Sequence, residues 1–83
     1  MSEVHIASFI GRCEPNDTAK MQALIEQRDG CEVHGSDAVG KLIIVIEGAS
    51  HGDIANQFEQ LRALAGLLDL QPVYHEYFEA EVC

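Results

Sequence analysis

Positive charge is what this chain has least of. Five Lys and Arg stand against fourteen Asp and Glu, a formal net charge of −9 over 83 residues. Such a surface repels phosphate backbones, so nucleic acid and anionic membranes are poor partners. A basic peptide or a basic protein patch is a better one, because complementary charge speeds encounter. No apolar run approaches the roughly 18 residues of a membrane span. The start, Met1-Ser2-Glu3-Val4-His5, has neither the basic nor the apolar region of a secretory signal, which points to the cytoplasm. Cys13, Cys31 and Cys83 are odd in number, far apart and without a CxxC pair. That excludes a disulfide framework and a zinc signature, and it reads as reduced cytosolic thiols.

The usual constellations of chemistry are missing too. His5, His34, His51 and His75 include no pair at i, i+2 or i, i+4, and no Cys lies beside one. No metal is expected from that spacing. Ser8, Ser36 and Cys31 lack the neighbouring base and orienting group that a nucleophile needs. Gly35 to Gly40 lacks the repeated glycines and the Lys-Ser/Thr ending of a phosphate loop. An RNA-binding sheet would carry aromatic and basic residues on its central strands, and here those strands offer only Phe9 and Lys41. Neither a catalytic residue nor a cofactor is expected, and the chain is not read as an enzyme.

What is present is a pattern. The length fits one domain with a modest core, and 47% apolar content argues against disorder. Residues 4–10 read as a first strand, broken by 11–15. Pro15-Asn16-Asp17 reads as a helix start, with Asn16 or Asp17 to cap it. Met21, Leu24 and Ile25 fall at helical spacing, with Arg28 along the edge of the stripe and Gly30 as the stop. Residues 31–36 alternate like a half-buried strand, 37–40 turn the chain, and 41–47 form a strand. Its run Leu42 to Ile46 is wholly apolar and offers apolar groups to both faces. Ser50-His51-Gly52-Asp53 has the form of a capping box, opening a helix to about residue 65 that Gly66 ends. Residues 70–77 read as an edge strand, because Pro72 cannot donate a ladder bond. Residues 78–83 are expected to fray as an acidic tail.

The order β-α-β-β-α-β is that of the α+β, ferredoxin-like split βαβ architecture. It predicts a four-stranded antiparallel sheet in spatial order 4-1-3-2, with two helices on one face and the other face bare. Alternation assigns Val4, Ile6, Ser8, Ile10, Val33, Leu42, Ile44, Ile46, Leu70, Pro72 and Tyr74 to the helix side. The bare face then has Ala7, Phe9, Ile43, Val45 and Val73 at its centre. Around them lie His5, His34, His75, Glu32, Glu47 and Lys41, with Ser36 and Gln71 also outward. An apolar patch with a polar rim marks an interaction site. A partner of another kind or a second copy of the chain can fill that role, and strand addition at the edge 31–36 is a further mode.

Several segments together resemble the NapD family. They are Gly30-Cys31-Glu32-Val33, Ser36-Asp37-Ala38, the run Gly40-Lys41-Leu42-Ile43-Ile44-Val45-Ile46-Glu47, and Val73-Tyr74-His75. The resemblance covers nearly the whole chain, and the C-terminal tail is shorter here than the family leads one to expect. It implies a cytoplasmic chaperone that binds the twin-arginine signal peptide of the periplasmic nitrate reductase catalytic subunit precursor. Such chaperones restrain export through the Tat system until the molybdenum cofactor is inserted, without themselves needing to hold it. A peptide helix would lay its apolar side on Phe9, Ile43, Val45 and Val73. Its arginines would meet Glu32, Glu47 or Asp37. The runner-up is a small-ligand regulatory module of the ACT or Lrp effector type, which would be an obligate oligomer where the chaperone is expected as a monomer. A metal-trafficking domain ranks third, because the first loop lacks a CxxC.

Overall fold

The computed structural model describes the backbone of residues 2–80 and the side chains of residues 4–73. Strand β1 (Ser2–Cys13) leads through a 3-10 turn (Pro15–Asp17) into helix α1 (Thr18–Glu26). Strands β2 (Cys31–Ser36) and β3 (Lys41–Gly48) form the central hairpin, and helix α2 (His51–Arg62) leads into β4 (Leu67–Ala80). The sheet order is β2-β3-β1-β4, with β1 antiparallel to β3 and β4 and β2 antiparallel to β3. This is the expected 4-1-3-2 sheet.

Local chemistry accounts for the joints. Pro15 opens the 3-10 turn, where its missing N–H costs nothing. The expected side-chain cap by Asn16 or Asp17 is not made. Instead the Thr18 hydroxyl donates to the Pro15 carbonyl at 3.0 Å and the Asp17 N–H to the Glu14 carbonyl at 2.8 Å, so the tight turn itself supplies partners. At α2 the Ser50 hydroxyl accepts from the Asp53 N–H at 3.1 Å, and the Asp53 carboxylate reaches back to the Ala49 N–H at 3.1 Å. The hairpin turn is held by the Asp37 carboxylate, which accepts from the Val39 and Lys41 amides at 3.0 Å each. Gly40 sits there at φ 90°, and a side chain on it would run into the Cys13 carbonyl.

The core is one layer between the sheet and both helices. Met21 and Ile25 of α1, Ile54 and Leu61 of α2, and Leu42, Ile44 and Ile46 of β3 are buried there, with Leu70 of β4. The alternation assigned to β3 therefore holds.

That of β1 is reversed. His5, Ala7 and Phe9, expected on the bare face, are buried on the helix side at 7%, 2% and 4% exposure. Phe9 stands opposite Ile44 and Ala7 opposite Ile46 in an unbroken β1–β3 register, so no bulge is involved. The Phe9 ring lies 5.3 Å from Phe58 of α2, and the His5 ring 5.4 Å from that of His51. The cause lies at the end of the strand, which continues to Cys13 rather than stopping at residue 10. Gly11, Arg12 and Cys13 extend the alternation, and one parity must take the arginine. A side chain at Gly11 would press on Ile44 and Leu67, so the helix side has room there only for glycine. Arg12 faces out and carries Val4, Ile6, Ser8 and Ile10 with it.

In β4 the register shifts where Ser8 pairs with Tyr74 and Phe9 with Pro72, leaving Val73 as the extra residue. Val73 accordingly borders α2 instead of the bare face, while Pro72 stays on the helix side as assigned. The side-chain directions expected for Tyr74 and His75 lie outside the described residues. The backbone of β4 pairs with β1 through Ala80, so residues 78–80 belong to the sheet rather than to a frayed tail. Residues 81–83 lie outside the described residues.

Candidate functional site

Among the described residues, the face of the sheet away from the helices is built by β1, β3 and β2, with Gln71 and Asp69 of β4 opposite Ile10 and Arg12. Ile6 stands opposite Glu47, Ser8 opposite Val45, Ile10 opposite Ile43, and Arg12 opposite Lys41. From β2, Glu32 stands opposite Val45. A second register shift follows Val33, so that Gly35 and not His34 stands opposite Ile43, and Ser36 stands opposite the inward Leu42. Ser36 thus leaves the open-face row to which alternation had assigned it. Val4, Ile6, Ile10, Ile43 and Val45 are half-buried by their neighbours and uncovered by any helix. They form an aliphatic, mostly β-branched floor, the kind of surface that packs well on a pleated sheet.

The rim of this floor is charged. His34 Nε2 lies 2.8 Å from Glu32 Oε2, both groups being exposed. Glu47 is exposed, and its carboxylate makes no hydrogen bond or ion pair among the described residues. A cleft of about 650 Å³ wraps the β2 edge here, lined by Ile6, Val45, Glu32, His34, Glu47 and the 26–31 segment. Glu26 and Asp29 add carboxylates to it. Its one arginine, Arg28, donates from Nε to Gln57 Oε1 at 2.9 Å; that neutral partner leaves its charge in place, but four carboxylates outnumber it.

The residues assigned to a peptide site are thus divided. Glu32, His34, Ile43, Val45 and Glu47 do come together on the open face. Ala7, Phe9 and Val73 instead line an apolar groove of about 610 Å³ between α2 and β4, with Ile54, Ala55, Phe58 and Pro72. His5 is packed beside His51. Sequence reading missed Val4, Ile6 and Ile10 as members of the open face. Arg12 was the signal that could have found them, since a charged residue fixes the outward parity of a strand.

Cys13 and Cys31 are buried free thiols. Burial pushes the Cys31 thiol above its ordinary value, against the opposing pull of the Arg28 guanidinium. Its Sγ lies 3.8 Å from Gln57 Oε1. This is the setting of a packing residue rather than of an activated nucleophile. Among the described residues no group of three His, Cys, Asp or Glu is placed to hold a metal ion, and no helix is long and apolar enough to cross a membrane.

Two helices packed on one side of this sheet, with an open aliphatic face on the other, define a ferredoxin-like α+β domain. Its solved likeness includes the solution structure of the E. coli Tat proofreading chaperone protein NapD. The match has 27% sequence identity and a TM-score of 0.82, covering 88% of this chain and 78% of that chain. The NapD protein family model matches residues 4–79, and the chain belongs to that family, which is one of chaperones. No curated protein matches the chain.

Proposed function

We propose that this chaperone binds the twin-arginine signal peptide of a periplasmic nitrate reductase catalytic subunit precursor in the cytoplasm. Binding restrains export until the molybdenum cofactor has been inserted, and the chaperone performs no chemistry of its own. The observation that carries this reading is an uncovered aliphatic face with a carboxylate rim, in a NapD-family chain. A twin-arginine signal has the complementary parts, a basic start and an apolar stretch. Its apolar side takes the place of the helices that cover the opposite face, and its guanidinium groups find carboxylates.

Isoleucine methyl groups offer a direct test, because they fall on both sides of the sheet. A synthetic twin-arginine signal peptide should shift the methyl resonances of Ile6, Ile10 and Ile43. Those of Ile25, Ile44, Ile46 and Ile54, buried on the helix side, should move little. Shifts concentrated on Ile54 and on the Val73 methyls would place the peptide in the α2–β4 groove and overturn the open-face site.

A further inference from the structure

The open face is not electrically uniform along the strands. At one end Ile6 pairs with Glu47, beside the cleft that gathers Glu26, Asp29, Glu32 and Glu47. At the other end Arg12 pairs with Lys41. There Asp69 stands opposite Arg12 on β4, and Asp37 is engaged in the turn, so that end is close to neutral. Among the described residues the uncompensated charge is therefore negative and lies at the first end, where the four carboxylates outnumber Arg28. The Glu47 row lies six residue steps along β3 from the Lys41 row, about 20 Å at the usual rise. A helix of about 13 residues spans the same distance.

We infer that the open face reads the direction of its peptide as well as its composition, an inference that rests on the signal-peptide reading above. The twin arginines lie in the cleft against Glu47 and Glu32, and the apolar stretch runs over Val45 and Ile43 toward Arg12 and Lys41. Glu47 is the stronger anchor, because its carboxylate has no partner among the described residues. Glu32 must share its carboxylate with His34. The reverse orientation would set two guanidinium groups beside Arg12 and Lys41 and leave the cleft's four carboxylates with Arg28 alone. Charge thus selects one of two directions that the aliphatic floor alone would accept equally.

Two peptides test this, each a synthetic twin-arginine signal peptide with a nitroxide either before the arginines or after the apolar stretch. The first label should broaden the amides of Gly30, Glu32 and Glu47, and the second those of Arg12, Gly40 and Lys41. Glu47→Gln should weaken binding of the arginine peptide roughly 2–5-fold, the range for a partly exposed charge pair. It should leave a peptide with both arginines replaced by glutamine unaffected. The opposite broadening pattern, or equal broadening at both ends, would overturn the inferred direction while leaving the open-face site standing. Absence of any methyl shift, on the open face or in the α2–β4 groove, would instead remove the signal-peptide reading itself.

Discussion

Phe9 and Ile10 are neighbours in sequence and lie on opposite faces of the central strand β1, so substituting each in turn tests the reversed parity. Phe9 is 4% exposed and stacked 5.3 Å from Phe58. Truncation to alanine removes a buried aromatic and leaves a cavity, which costs about 3–5 kcal/mol. The lost ring pair accounts for about 0.5–1.5 kcal/mol of that. A domain of this size has roughly 4–12 kcal/mol of total stability, so Phe9→Ala consumes a large part of it. Ile10→Thr is different: it keeps a β-branched side chain in a strand, and its hydroxyl stays hydrated on an open face. About 1 kcal/mol is expected. Urea unfolding followed by far-UV circular dichroism measures both, since the chain has no tryptophan to report by fluorescence. With a urea slope near the low end for small domains, about 1–1.5 kcal/mol/M, Phe9→Ala lowers the midpoint by roughly 2–5 M. Ile10→Thr lowers it by under about 1 M. Binding of a twin-arginine peptide should respond in the opposite order, weakening for Ile10→Thr and holding for folded Phe9→Ala. If Ile10→Thr proves the more destabilising of the two, the assignment of β1's faces falls, and the open-face site falls with it.

Ser50→Ala removes the side-chain acceptor of the Asp53 N–H at the start of α2, and should cost about 1 kcal/mol by the same unfolding measurement. Ser50→Asp, which can still cap, should recover most of it. Gly40→Ala forces a side chain into a left-handed conformation and against the Cys13 carbonyl, so a loss above about 2 kcal/mol is expected. A neutral outcome would show that the hairpin turn is not held as described. For Cys31 the folded-state value is raised, so its contribution is complete below the ordinary thiol range. It is lost as the pH climbs from that range through the raised value, because the unfolded chain ionises first. Stability measured from neutral to alkaline pH should therefore fall more steeply for the parent chain than for Cys31→Ala, and parallel curves would contradict the cause assigned to the shift.

The fold was legible because its signals were local and repeated. Leu42 to Ile46 announced a central strand, Asp37 to Gly40 a turn, and Ser50 to Asp53 a helix start, and each stands where its residues put it. The faces of the sheet were harder. In β3 the charged ends Lys41 and Glu47 fixed the parity of an otherwise ambiguous apolar run. In β1, residues 4–10 offer apolar groups on both parities, and the deciding residue, Arg12, lay beyond the strand's expected end. The shift at Val73 was not legible at all, since a bulge is settled by how two strands meet. The face was consequently placed as expected for Glu32, Ile43, Val45 and Glu47 of β2 and β3, while His5, Ala7 and Phe9 of β1 were placed one residue out of phase.

That single phase error changes the character of the face. With Phe9 turned in, the part of the floor built by β1 and β3 consists of valine and isoleucine around Ser8. Branched aliphatic side chains have few rotamers to lose and present a smooth, shallow surface, so they accept apolar peptide faces with little regard for sequence. Aromatic anchors, which concentrate binding energy in deep pockets, lie on the other side, holding α2 to the sheet. Over this part of the face, discrimination among apolar peptides rests on the rim. There, Glu47 and Glu32 offer charge to a guanidinium, whereas at the far end Asp37 and Asp69 are offset by Lys41 and Arg12. A weak, general floor with a selective charged end suits a partner that has to be recognised and later released, because no single deep contact has to be broken for it to leave.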